Sequence, residues 1–94
     1  MSVAVQQHEG RTVITVSGRL DTEAASSLVS LLKRAASAQP AAPVVIDVGF
    51  ARQITAVALA VLSGVEQQVW NLLRFRGLSQ HDERILQHLR AEHG

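Results

Sequence analysis

Cysteine is absent from this 94-residue chain, which excludes disulfides, thiolate metal sites and thiol nucleophiles together and fits a reducing compartment. Aromatic residues are nearly absent too. Phe50, Trp70 and Phe75 are the only three, too few for a stacking platform, and Trp70 reads as a packing residue. Neither sign of charge dominates: the formal net charge is +1 with acids and bases interspersed, so no basic stripe exists to follow a phosphate backbone, and nucleic acid is excluded as a partner. No apolar run reaches the roughly 18 residues of a membrane span, and no basic segment followed by an apolar one opens the chain. A cytoplasmic protein without direct membrane insertion is expected.

What is present is aliphatic. Ala, Val and Leu supply most of the hydrophobic residues, enough for one modest core, and a single domain over residues 1–94 is expected. The run Val44–Val48 ends a short apolar stretch with an acid at Asp47, bounded by Pro43 and Gly49. That pattern predicts a central strand covered on both faces of the sheet, with the binding surface at its carboxyl end. Gly49 to Gln53 are expected to form a turn. Thr55 is placed to cap a helix in which Val57, Ala58, Val61, Leu62, Val65 and Val69 share an inward face at 100° per residue. Ala56, Leu59, Ala60, Ser63 and Gln67 are expected to point outward.

Before this lie two β-branched runs, Val3–Gln7 and Arg11–Ser17, separated by a hairpin-length loop and ended by Gly18. Asp21 or Thr22 caps a first helix to about Ala38, with Ala25, Leu28, Val29, Leu32, Ala35 and Ala36 on its apolar side. A last strand is expected over Trp70–Arg76. Ser79 with Asp82 resembles a capping box for a final helix over Gln80–Ala91, docking through Ile85, Leu86 and Leu89. The predicted fold is α/β, a mixed four-stranded sheet in the order β-β-α-β-α-β-α with helices mainly on one face.

Chemistry is sparse. His8, His81, His88 and His93 lack the i+3 or i+4 partners of a metal pair, so no metal or other cofactor is expected. Asp47 has no accompanying nucleophile or histidine and is read as an acceptor for nearby loop amides; an enzyme or small-ligand binder would need a closed polar pocket beside it.

The segments VITVSGRLDTEAASSL, VVIDVGFARQITAVALAVL and LLRFRGLSQHDERILQHL together resemble a STAS domain, over nearly the whole chain. Bacterial anti-sigma-factor antagonists, stressosome scaffolds, the cytoplasmic domains of sulfate-type anion transporters and a small subunit of a lipid-transport ABC system share this fold. Members that act as switches carry an Asp-Ser-Ser-Gly-Leu or Asp-Thr-Gly-Gly-Leu motif, phosphorylated at the first hydroxyl, at the start of the second helix. Counted without gaps from Asp47, the motif falls on Thr55-Ala56-Val57-Ala58-Leu59, which puts Ala56 at the acceptor position, where no phosphate can be carried. A rival alignment, deleting one residue from the turn, makes Thr55 the acceptor; both lose the acid.

The resemblance implies a non-enzymatic protein-interaction module, unswitched or differently switched, that binds an anti-sigma factor or kinase-like regulator. The alternative it implies is an accessory subunit docking on a transporter ATPase or permease for lipid or anion transport. The partner-binding residues expected are Asp21 and Thr22 at the first helix, with Arg52, Gln53, Thr55, Ala56, Leu59, Ala60 and Ser63 around the second. A weak homodimer stays open.

Overall fold

The computed structural model describes residues 2–38, 43–69 and 73–93, with the side chains of residues 36, 65–69, 92 and 93 left aside. The chain begins as a hairpin. Strand β1 (Ser2–His8) pairs antiparallel with β2 (Arg11–Leu20) from His8↔Arg11 to Ser2↔Ser17. Glu9 (φ 51°) and Gly10 (φ 78°) both adopt left-handed backbone, the signature of the type I′ turn whose twist matches paired strands. Helix α1 (Thr22–Ala38) then crosses to β3 (Val44–Ile54), and α2 (Ala56–Val69) crosses to β4 (Leu73–Arg76) before the closing helix α3 (Gln80–His93). The sheet order is β1-β2-β3-β4, with β2, β3 and β4 parallel. Val44–Val48 is thus an interior strand, as its apolar run predicts.

Alternation and register explain the layers. Ile14 stands opposite Ile46, and Ile46 opposite Phe75, while Val44 pairs with Leu73, so these side chains share one face. That face carries the core: Ile14, Val16, Val44, Ile46, Val48 and Leu73 pack with Ala25, Leu28 and Leu32 of α1 and Ala58 and Leu62 of α2. On the opposite face Val13 and Val45 lie side by side between Gln6 and Arg74, and Thr15, Asp47 and Arg76 form the next row. Helices therefore collect on one face of a mixed sheet.

Each helix opens on a side chain that accepts an otherwise unpaired amide. Asp21 Oδ1 accepts from Ala24 N at 3.0 Å, Thr55 Oγ1 from Ala58 N at 3.1 Å, and Ser79 Oγ from Asp82 N at 3.1 Å. Such caps contribute about 1 kcal/mol each.

Three expectations are corrected. The segment Gly49–Gln53 is strand rather than turn, and Gly18 does not end β2: the two strands stay paired to Leu20↔Ile54, absorbing two register shifts, between Thr15 and Ser17 and between Gly18 and Arg19. The chain bends without parting. Strand β4 is described only over Leu73–Arg76, and Trp70 lies outside the described residues. The phase of α2 is also turned. Ala58, Leu59, Leu62 and Ser63 are buried, whereas Val57 is 56% exposed. The inward i, i+3, i+4 set thus begins at the Thr55 cap and carries both leucines of the helix. The side chains of Val65, Gln67 and Val69, like that of Ala36 in α1, lie outside the description.

Ser63 shows the cost of that phase. Its Oγ is buried and has no hydrogen-bond partner among the described residues. Removing an unsatisfied buried hydroxyl should help, so Ser63→Ala is expected to raise stability by about 1 kcal/mol, read as a melting temperature several degrees higher in a thermal scan. An unchanged or lower value would mean the hydroxyl is bonded in solution.

Candidate functional site

Strands β2 and β3 end together. Leu20 is paired with Ile54, Arg19 with Gln53, and Thr55 N donates to Leu20 O at 3.0 Å. The residues that follow are Asp21 and Thr55, the caps of α1 and α2, so two helix N-termini open beside each other at the carboxyl end of the sheet. Within them Ala25 N donates to Asp21 O at 2.8 Å and Leu59 N to Thr55 O at 3.1 Å, which begins each helical ladder at the cap.

The expected binding residues divide on this geometry. Asp21, Thr22, Arg52, Gln53, Thr55 and Ala56, remote in sequence between α1 and α2, are brought to one end of the molecule; Thr22, Arg52, Gln53 and Ala56 are exposed, and Asp21, Thr55 and Ala60 half-buried. Leu59 (0% exposed) and Ser63 (1%) are not at the surface at all. They face the core because the Thr55 cap sets the phase of α2. Two surface residues escaped the sequence reading. Val57 takes the outward position assigned to Leu59, and Phe50 is 69% exposed. Ala51 packs against the core, so alternation turns Phe50 to the helix-free side of the same strand end. A large aromatic in a segment without apolar periodicity was the available signal.

Charge at this end is modest. Arg19 Nε lies 4.0 Å from Asp21 Oδ2 with both side chains well exposed, a pair worth little in water. Beside it Arg19, Asp21, Glu23, Ala24 and Ser27 line an open depression of about 340 Å³. Near Asp47 the hollow lined by Gly49, Arg52, Gln53, Gly77, Ser79 and Asp82 is open to solvent, at about 320 Å³. Among the described residues no three His, Cys, Asp or Glu side chains gather as a metal would require.

Asp47 is held from both sides. Oδ1 accepts from Gly49 N at 3.0 Å, an amide of β3 itself rather than of a loop, and Oδ2 accepts from Arg76 Nε at 3.1 Å and Nη2 at 3.0 Å. The arginine was not anticipated, because β4 is joined to β3 only through α2 and their register is a tertiary fact. The Gly49 amide, and Arg76 through its hydrogen bonds and its charge, draw the Asp47 carboxyl below its ordinary pKa, against the opposing effect of partial burial. A depressed acid is a weak base, and here both carboxylate oxygens are engaged, one by the β3 backbone at Gly49 and one by Arg76.

A pH dependence follows. A carboxyl with a lower pKa folded than unfolded stabilises the fold above the unfolded value, near 3.9, and loses that contribution as pH falls through the folded one. Chemical denaturation from pH 7 downward is expected to show stability falling below about pH 4, less steeply in Asp47→Asn than in the native chain. Asp47→Asn should also cost on the order of 1 kcal/mol at pH 7, kept small because Arg76 is 52% exposed. Identical acid limbs in the two proteins would remove Asp47 from the account.

Among the described residues no helix is long and apolar enough to cross a membrane. A search of curated proteins gave no match. In structure the chain is similar to the crystal structure of an anti-sigma factor antagonist from Mycobacterium paratuberculosis, with a TM-score of 0.72 and 22% identity over 97% of this chain and 80% of that one. At that identity the likeness establishes the fold. The STAS domain profile matches residues 2–92, through every strand and all but the last residue of α3, and the chain belongs to the STAS domain family.

Proposed function

We propose that this STAS domain is a non-enzymatic interaction module of the anti-sigma-factor-antagonist kind, and that it engages its protein partner through the end of the sheet where α1 and α2 begin. The observation that carries the reading is the convergence of the Asp21 and Thr55 caps with a small and partly apolar strip, exposed Ala56 and Val57 with half-buried Ala60. Small side chains permit close approach of a partner surface, and an open end without a pocket suits a protein better than a metabolite. The similarity to an anti-sigma factor antagonist supports the partner class.

Regulation differs from that of the switch members. The ungapped acceptor position is Ala56, and Thr55 Oγ1 is already engaged as the cap of α2, so the helix starts without a hydroxyl free to take phosphate. The partner is bound constitutively or controlled elsewhere.

The test is affinity for the anti-sigma factors of the same organism, native chain against Val57→Glu. A glutamate at an exposed helical position leaves the fold intact but places a charge in the contact, and a loss of about 2 kcal/mol, roughly thirtyfold, is expected. Unchanged affinity would remove this strip from the interface. Binding to no anti-sigma factor, together with co-purification with a transporter ATPase, would establish the accessory-subunit reading instead.

A further inference from the structure

The sheet has two edges, and they are protected unequally. Strand β4, over its described residues Leu73–Arg76, carries Arg74 and Arg76, the kind of charged edge that discourages further pairing. Strand β1 is seven residues long, SVAVQQH, with no acid, lysine, arginine or proline, and every residue in it is exposed. It also lacks a bulge, since its register with β2 runs unbroken from His8↔Arg11 to Ser2↔Ser17. None of the usual devices against edge-to-edge association is present on it.

The hairpin defines what this edge offers. Residues flanking a two-residue turn exchange backbone hydrogen bonds, so His8, Gln6, Ala4 and Ser2 direct their amides and carbonyls at β2, and Val3 and Val5 direct theirs outward. The side chains of these two valines lie on the helix-bearing face, opposite Val16 and Ile14. Yet α1 stops short of them. Val3 is 37% and Val5 50% exposed, and a groove of about 230 Å³ runs beside Val5 between the hairpin and α1, lined by Ile14, Leu31, Ala35 and Ala38 with Arg34 among them.

We infer that β1 is a self-pairing edge: a second copy of this chain adds its own β1 antiparallel, with Val3 of each copy opposite Val5 of the other, joining two four-stranded sheets into one. The occupant is a second copy because the two-fold satisfies every requirement of the strand by construction. Five uncharged residues, Ser2 to Gln6, meet themselves in reverse, so no like charges are opposed. Two Val–Val pairs cover the apolar side, and Ala4 meets Ala4 on the other. The seam uses the outer edge of β1 and none of the residues assigned to the binding end above, so the pairing does not depend on that reading. With few side chains buried, the dimer should be weak, with a dissociation constant on the order of 100 μM.

Sedimentation velocity on the full chain from about 10 μM to about 1 mM, spanning that constant tenfold on either side, is the test. The native chain is expected to pass from monomer to dimer across the range, and Val5→Lys to shift that transition about tenfold or more upward, because it buries a charge in the seam. A monomer throughout, or an unshifted transition in Val5→Lys, would overturn the inference. Should Val5→Lys not fold, amide hydrogen exchange of the native chain decides. Exchange at Val3 and Val5 should slow with protein concentration while Ala4, already bonded to β2, stays constant; concentration-independent exchange at both valines would overturn the pairing.

Discussion

Gly77→Ala is expected to destabilise the fold by about 2–5 kcal/mol, combining left-handed strain with overpacking. Gly77 sits just after β4 with φ at +84°, and a Cβ added there would lie 2.6 Å from both Cα and N of Gly49. Those are backbone atoms of an interior strand, so neither can swing aside as the tip of a long side chain would. The Gly49 amide also donates to Asp47 Oδ1, which would itself stand 3.2 Å from the new methyl. Relief of the clash must therefore disturb the Asp47–Arg76 pair. Two controls divide the effect. Gly10→Ala shares a positive φ, +78°, with nothing within 4 Å, and should show the strain alone, about 1–2 kcal/mol. Gly64→Ala, in the interior of α2 with nothing within 4 Å, should gain up to about 1 kcal/mol. Urea unfolding of the three variants decides; a Gly77→Ala loss no larger than that of Gly10→Ala would mean the two glycine backbones are not in contact.

Two substitutions only two residues apart on α2 should differ by several kcal/mol in stability. Leu59→Glu places a carboxylate at a position with 0% exposure, where an uncompensated charge costs about 3–5 kcal/mol. A domain of this size has a total stability of only about 5–14 kcal/mol, so this variant should lose a large share of it and melt well below the native chain. Val57→Glu, at a position 56% exposed, should stay within about 0.5 kcal/mol of the native chain. Circular dichroism melts of the pair measure the phase of the helix directly. The reverse order, with Val57→Glu unfolded and Leu59→Glu intact, would restore the phase in which Val57 faces the core.

That phase marks one place where sequence reasoning met its limit. Residues 56 to 62 are apolar without interruption, so the periodicity that orients an amphipathic helix is missing, and α1, with serines and charges opposite its leucines, was oriented correctly by the same arithmetic. The strand extension beyond Val48 was hidden for a related reason. Gly49, Ala51, Arg52 and Gln53 have neither β-branching nor alternation, and only the facing backbone of Ser17–Leu20 makes them strand.

Local chemistry determined the rest. The order of the elements, a cap for α1 at Asp21 or Thr22, the capping roles of Thr55 and Ser79, the interior position of Val44–Val48 and the absence of a hydroxyl at Ala56 were legible in the sequence, because each depends on residues within a few positions of one another. Tertiary structure decided what depends on pairing across the chain. Only the β2–β3 register brings Asp21 beside Thr55, and only the β3–β4 register sets Arg76 on Asp47 and Gly77 against Gly49. Phe50 is left in solvent for the same reason: backbone pairing holds its strand in the sheet, while the side chain points to the face that no helix covers.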